Sequence, residues 1–242
     1  MTLYPKNIII ANYSIHSLAL IIWAKENLQG DFCVISVDTK FASSDWYIYL
    51  KDVFSWLNSE NIKHYHLDSE NSFSDLVIAR KQFPSQQFSW CAGFLKGITI
   101  LNKIDEIDAD CASTILLSHR KDMSKVSQLL DNKAEEEKYD FRELRYPLLN
   151  ITLDKVYSMV TELPFTPVTY SKECSPCINI TDKEFTKISS QDIKKTIELE
   201  ENANAYMFND RPFNTITEGF FRKNEIMQEL SKACSWEYSC GL

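Results

Sequence analysis

The sequence predicts an α/β fold: a three-layer sandwich with a mainly parallel sheet, followed by a helical C-terminal extension. Two short apolar runs, Ile8-Ile9-Ile10-Ala11 and Phe32-Cys33-Val34-Ile35-Ser36-Val37, lack the alternation of a half-solvated strand and predict strands covered on both faces. Between and after them apolar residues recur at helical spacing, and such strand-helix alternation calls for parallel neighbours joined by right-handed crossovers. Size is the third observation, since 242 residues, 44% hydrophobic and 25% charged, suit one substantial core.

Taken in order, residues 7–11 form the first strand and 17–27 a helix that ends before Gly30. The second strand, 32–37, stops at Asp38. Trp46, Tyr49, Leu50, Val53 and Leu57 place a helix over 45–58, and 62–67 alternates as a third strand. A helix over 95–106 and a strand over 113–118 follow. Residues 121–137 are polar, and the charged run from Asp131 to Lys138 predicts a solvated helix or loop. A helix within 148–160 has Thr152 as the better N-cap, because its hydroxyl can accept from the exposed N–H groups of the first turn. Past Cys177 the chain reads as helical and charged to the end, so 181–242 is expected to pack as an extension on a domain formed by 1–180.

Composition narrows the function classes. A net charge of -8 and a pI near 5.1 give no global attraction to nucleic acid, so any such contact needs a local basic patch that the sequence does not announce. No apolar run reaches the roughly 18 residues that span a bilayer, and Met1-Thr2-Leu3-Tyr4-Pro5-Lys6-Asn7 has neither the basic region nor the apolar stretch of a signal peptide. The expectation is a cytoplasmic protein without a membrane partner. Seven cysteines, Cys33, Cys91, Cys111, Cys174, Cys177, Cys234 and Cys240, are an odd number with no secretion signal, which disfavours a disulfide framework. Cys33 and Cys111 lie in or beside apolar segments and are expected in the core.

Several separated pieces then fall in one order. The turn Asn12-Tyr13-Ser14-Ile15-His16-Ser17 joins the first strand to a helix N-terminus, where unpaired N–H groups and the helix dipole attract anions. It contains no glycine, although phosphate loops normally use glycine to let backbone approach the phosphates. Asp38-Thr39 ends the second strand, and ligands of parallel sheets sit at such carboxyl ends. Trp90-Cys91-Ala92-Gly93-Phe94-Leu95-Lys96, then Ser118-His119-Arg120, then Pro147-Leu148-Leu149, then Cys174-Ser175-Pro176-Cys177 follow, and the chain closes on Cys240-Gly241-Leu242. His119 reads as a structural strand-end histidine. The paired cysteines are half of a tetrahedral zinc or iron-sulfur ligand set.

This order resembles the phosphoadenosine phosphosulfate (PAPS) reductase and ATP-pyrophosphatase superfamily over roughly residues 7–180. Residues 38–47 resemble the reductase run Asp-Thr-Gly-aromatic-x-x-Pro-Glu-Thr-Tyr, with Lys40 in place of Gly and Ser44 in place of Pro. Residues 90–96 match Trp-Cys-x-x-x-Leu-Lys. The first turn departs from both family forms, Ser-Gly-Gly-x-Asp-Ser and Ser-Ser-Phe-Gly-x-Gln, with Tyr13 standing for the aromatic of the second.

The resemblance implies the adenine nucleotide α-hydrolase-like fold. It implies an adenine nucleotide, ATP or PAPS-like, held by Asn12, Tyr13, Ser14, Ser17, Asp38, Thr39, Lys96 and Arg120. It implies an iron-sulfur cluster or zinc at Cys91, Cys174 and Cys177, the fourth position being open to Cys234, Cys240 or a non-cysteine group. Cys240 would be the tail nucleophile of a sulfonucleotide reductase, although Ser239 replaces the family Glu and the final His is absent. Three functions follow as expectations: sulfonucleotide reduction or nucleotide-activated sulfur transfer with a sulfur- or electron-donor protein; a cluster-bearing sulfurtransferase acting on a nucleic acid or base; or a binding module that kept the fold and lost catalysis.

Overall fold

The computed structural model describes residues 5–28, 31–85, 88–123, 127–135, 137–208 and 211–216. Its elements run β1 (Asn7–Ile10), α1 (Ile15–Asn27), β2 (Phe32–Asp38), α2 (Ser44–Ser59), β3 (Lys63–Asp68), α3 (Phe73–Arg80), α4 (Ile98–Ile107), β4 (Thr114–Leu116), β5 (Lys133–Glu135), β6 (Glu143–Arg145), α5 (Leu153–Val160), α6 (Asp182–Phe185) and α7 (Ser190–Ala203). A π-helical stretch, Ala92–Gly97, leads into α4.

The described strands form one six-stranded sheet in the order β3-β2-β1-β4-β6-β5. All neighbours are parallel except β5, which runs antiparallel to β6. The chain builds outward from β1 to β3 and then returns to place β4 on the other side of β1. That reversal opens a crevice between the carboxyl ends of β1 and β4, where the two crossovers leave in opposite directions.

The uninterrupted isoleucines of β1 explain its central place. Ile8, Ile9 and Ile10 are all 0% exposed. Ile9 faces one layer, packing with Leu18 and Ile21 of α1, Val53 and Leu57 of α2, and Val156 of α5. Ile8 and Ile10 face the other, with Cys33, Ile35, Ile100 and Ile104 of α4, and Leu144. Each buried isoleucine contributes about 1.5–3 kcal/mol, and a strand apolar on both faces suits the interior of the sheet, where both faces are covered. A third apolar cluster lies off the sheet, where Phe41, Phe73, Trp90, Leu95, Ile178, Leu199 and Phe213 join α3, the π-helical stretch and α7.

Three expectations change. The charged run after Asp131 is not wholly solvated helix or loop: it contains the edge strand β5, whose Lys133 pairs with Glu143 of β6 at 3.3 Å. Strand β3 is half-buried along most of its length rather than alternating, because it is the opposite edge. Beyond Cys177 only α6 and α7 are α-helical among the described residues, and Phe213–Thr215 is a single 3-10 turn. Thr152 does cap α5, accepting from Lys155 N. No helix among the described residues is long and apolar enough to cross a membrane.

Candidate functional site

The turn after β1 is filled by its own side chains. Asn12 is buried, and its Oδ1 accepts from Ser14 N at 3.1 Å, Ser14 Oγ at 2.9 Å and Ser17 Oγ at 3.1 Å. Ile15 N donates to Val168 O at 2.9 Å. The carboxamide thus sits where a bound anion would collect hydroxyl and N–H donors, and the sequence expectation of an open anion turn at Asn12, Tyr13, Ser14 and Ser17 is modified accordingly.

Tyr13 takes φ 54° without being glycine, and Lys40, where the resembling family run has glycine, takes φ 56°. Left-handed backbone at these two non-glycine residues costs about 1–2 kcal/mol for each. At Tyr13 the ring compensates: it is buried edge-on to Phe54, its phenol oxygen accepts from Ser36 Oγ at 3.0 Å, and its carbonyl accepts from Tyr49 Oη at 2.8 Å. Burial pushes the Tyr13 and Tyr49 phenols up, so both stay neutral.

At the β1–β4 crevice Arg120 is 4% exposed. Its Nη1 donates to His16 Nδ1 at 2.7 Å, and its Nη2 meets Asp122 at 2.9 Å. A guanidinium only donates, so Nδ1 is the unprotonated nitrogen of His16 and Nε2 carries the hydrogen. Burial first, and the Arg120 charge second, hold His16 down at about 3. Arg120 Nε and Ser118 Oγ are buried without a hydrogen-bond partner among the described residues. His119 is buried against Tyr146.

The end of β2 builds the second half. Asp38 Oδ1 accepts from Lys40 N at 2.7 Å and from Tyr47 Oη at 3.1 Å. Thr39 Oγ1 donates to the Glu173 carbonyl and accepts from Cys174 Sγ at 3.4 Å. Lys96 Nζ, on the π-helical stretch and 1% exposed, pairs with Glu173 Oε1 at 2.7 Å. Burial raises the Glu173 carboxyl pKa, and Lys96 opposes that rise. The segment 168–175 straps these loops together: Val168 O takes Ile15 N, Lys172 O takes Ser43 N, and Ser175 N reaches Phe41 O.

Glu173 escaped the sequence reading. It carries no motif of its own, and its partner Lys96 lies 77 residues away. Adjacency to Cys174 was the sole signal.

The three expected ligand cysteines have different surroundings. Cys91 and Cys177 border the third apolar cluster, whereas Cys174 turns to Thr39. Among the described residues no group of three or more His, Cys, Asp or Glu could hold a metal ion. The described thiols by themselves therefore do not make up a ligand set for an iron-sulfur cluster or zinc. Burial pushes the Cys177 thiol up to about 11 and that of core Cys33 up to about 12. Cys111 is exposed, not core, because it sits at φ 51° in the turn after α4. Cys234 and Cys240 lie outside the described residues.

No family model and no curated protein matches the sequence. Among the solved structures that this chain resembles in fold are these three. A PAPS reductase from Candida auris, in a phosphate complex, shares 16% identity over 68% of this chain and 75% of that one, at a TM-score of 0.49. A U34-tRNA thiolase from Methanococcus maripaludis with its 4Fe-4S cluster shares 13% over 89% and 75%, at 0.47. An NH3-dependent NAD synthetase from Campylobacter jejuni in complex with nitrate shares 12% over 95% and 86%, at 0.46. Likenesses of this size say nothing about chemistry.

Proposed function

We propose that this chain is an adenine-nucleotide-binding protein of the PAPS reductase and ATP-pyrophosphatase superfamily that works in sulfur chemistry. The observation that supports it is the buried cationic pair of positions at the strand ends. Lys96 and Arg120 are each nearly inaccessible, on opposite sides of β1, and Arg120 Nε has no hydrogen-bond partner among the described residues. Burying a charge is costly unless something offsets it, and a phosphate or sulfate group in the crevice would supply the missing acceptor. Asp38 and Thr39 end the adjacent strand, in family order with both cations.

Each residue then has a role the geometry allows. Arg120 would take anionic oxygens through its guanidinium. His16, neutral with hydrogen on Nε2, would donate one more bond without adding charge. Lys96 would exchange Glu173 for a phosphate oxygen, leaving the carboxylate to gain a proton, which its raised pKa favours.

Calorimetry with ATP, AMP, PAPS and adenosine phosphosulfate tests the reading. Heat is expected with at least one of them, weakened in Lys96→Ala and Arg120→Ala. Absence of heat with all four overturns it. A second reading, a module that kept the fold without catalysis, is favoured by the Asn12 carboxamide in the turn and by the closed Lys96–Glu173 pair. It predicts neither pyrophosphate from ATP nor sulfite from a sulfonucleotide. The cluster-bearing sulfurtransferase gains no support from the placement of Cys91, Cys174 and Cys177.

A further inference from the structure

Helix α2 carries two stripes with different fates. Trp46, Leu50, Val53 and Leu57 are buried in the core on one face of the sheet. A second stripe, Asp45, Ile48, Asp52, Ser55 and Ser59, recurs at intervals of three and four residues and forms one wall of a groove of about 700 Å³. Pro164, Phe165 and Thr166 form the opposite wall. The base is aromatic, with Phe165 edge-on to Tyr49 and Trp56 at ring-centre distances of 5.7 and 6.1 Å.

The stripe fits a helical occupant. Side chains three and four residues apart share one face of a helix, and a helix lying in a groove presents its anchors at that spacing. Ile48 is 66% exposed beside the aromatic base, leaving apolar area for a partner to cover. Ser55 and Ser59 are small enough to let a second backbone come close.

Charge narrows the occupant further. The groove is lined by two carboxylates, Asp45 and Asp52, and by no Lys or Arg. They stand two turns apart, about 10 Å along the axis. The Asp52 carboxylate has no partner among the described residues. Asp45 pairs with Lys172, but both side chains are exposed, and such a surface pair is exchanged at little cost. A second copy of this chain, with a net charge of -8, would bring like charge to the groove.

We propose that the α2 groove docks a basic amphipathic helix of a partner protein. Its apolar stripe covers Ile48 and the aromatic base, and its Lys or Arg residues, seven positions apart, meet Asp45 and Asp52. None of the lining residues belongs to the nucleotide site, so the proposal stands or fails separately from nucleotide binding.

The test is fluorescence anisotropy of the full chain with a labelled synthetic helix that carries leucine at three- and four-residue spacing and lysines seven positions apart beside that stripe. Saturable binding that weakens as salt is raised is expected. The same helix with glutamate for lysine, or serine for leucine, should bind at least about tenfold more weakly. Asp52→Lys and Ile48→Ser, both at exposed positions, should each weaken binding about tenfold. Glu106→Lys makes the same charge change on α4, which packs on the other face of the sheet, and should leave binding unchanged. Failure to saturate, equal binding of the glutamate helix, or an equal loss in Glu106→Lys would each overturn the proposal. So would a wild-type dimer that Ile48→Ser disperses, or a cross-link from the groove to residues 217–242 of the same chain, since either gives the groove another occupant.

Discussion

At the scale of single residues, the site is governed by charges that the fold has already neutralised. Lys96 and Glu173 are buried together, so Lys96→Ala should cost about 3–5 kcal/mol by leaving a carboxylate with no partner. The double variant Lys96→Met/Glu173→Gln should recover most of that, because removing both charges also removes their desolvation. Denaturant titration of the three proteins decides it; equal losses in the single and double variants would refute the pairing. His16 gives a pH dependence of fixed sign. Folded, it is held at about 3, while unfolded it titrates near the ordinary value of about 6.5. Between those values the unfolded chain holds the extra proton, so stability falls as pH drops from about 6.5 towards about 3. The slope from this one group approaches about 1.4 kcal/mol per pH unit. His16→Gln keeps an oxygen that Arg120 can bond but does not titrate, so its denaturation midpoints at about pH 7 and about pH 5 should differ less than those of the wild type.

Among the elements, the N-terminus of α1 is the one whose chemistry the sequence conceals. A strand, a turn and a helix were legible from Ile8-Ile9-Ile10 and the periodic residues after Ser17, and so was the cap of α5 at Thr152. The residues of the first turn were legible as well. Their mutual satisfaction was not, because it depends on where the Asn12 carboxamide points and on Val168 arriving from far along the chain. The same holds for Arg120 on His16, 104 residues apart. Strand β6 was missed because three residues, Glu143, Leu144 and Arg145, are too few to show a period, and β5 was hidden within a charged run that only edge position tolerates. Asn12→Ala tests the turn. It strips an acceptor from Ser14 N, Ser14 Oγ and Ser17 Oγ, costing about 1–3 kcal/mol. Added sulfate should then raise the melting temperature of the variant more than that of the wild type; an equal response in both would mean that the turn does not receive anions.

For the whole molecule, the layers should differ in resistance to opening. Strand β1 is packed on both faces, whereas β3 and β5 are edges. Native-state hydrogen exchange should therefore be slowest at residues 8–10 and 34–35, and fastest among the strands at 133–135. Uniform protection across the sheet would contradict that ranking. The strap of residues 168–175 carries a consequence of a different kind. It contributes the partners of Ile15, Ser43, Lys96 and Phe41, yet every strand of the described sheet precedes it in the chain. A polypeptide emerging from the ribosome can thus complete all six described strands while the crevice is still unfinished, and Lys96 gains its Glu173 partner only when residue 173 has been synthesised. The order of translation separates the birth of the scaffold from the birth of its binding site.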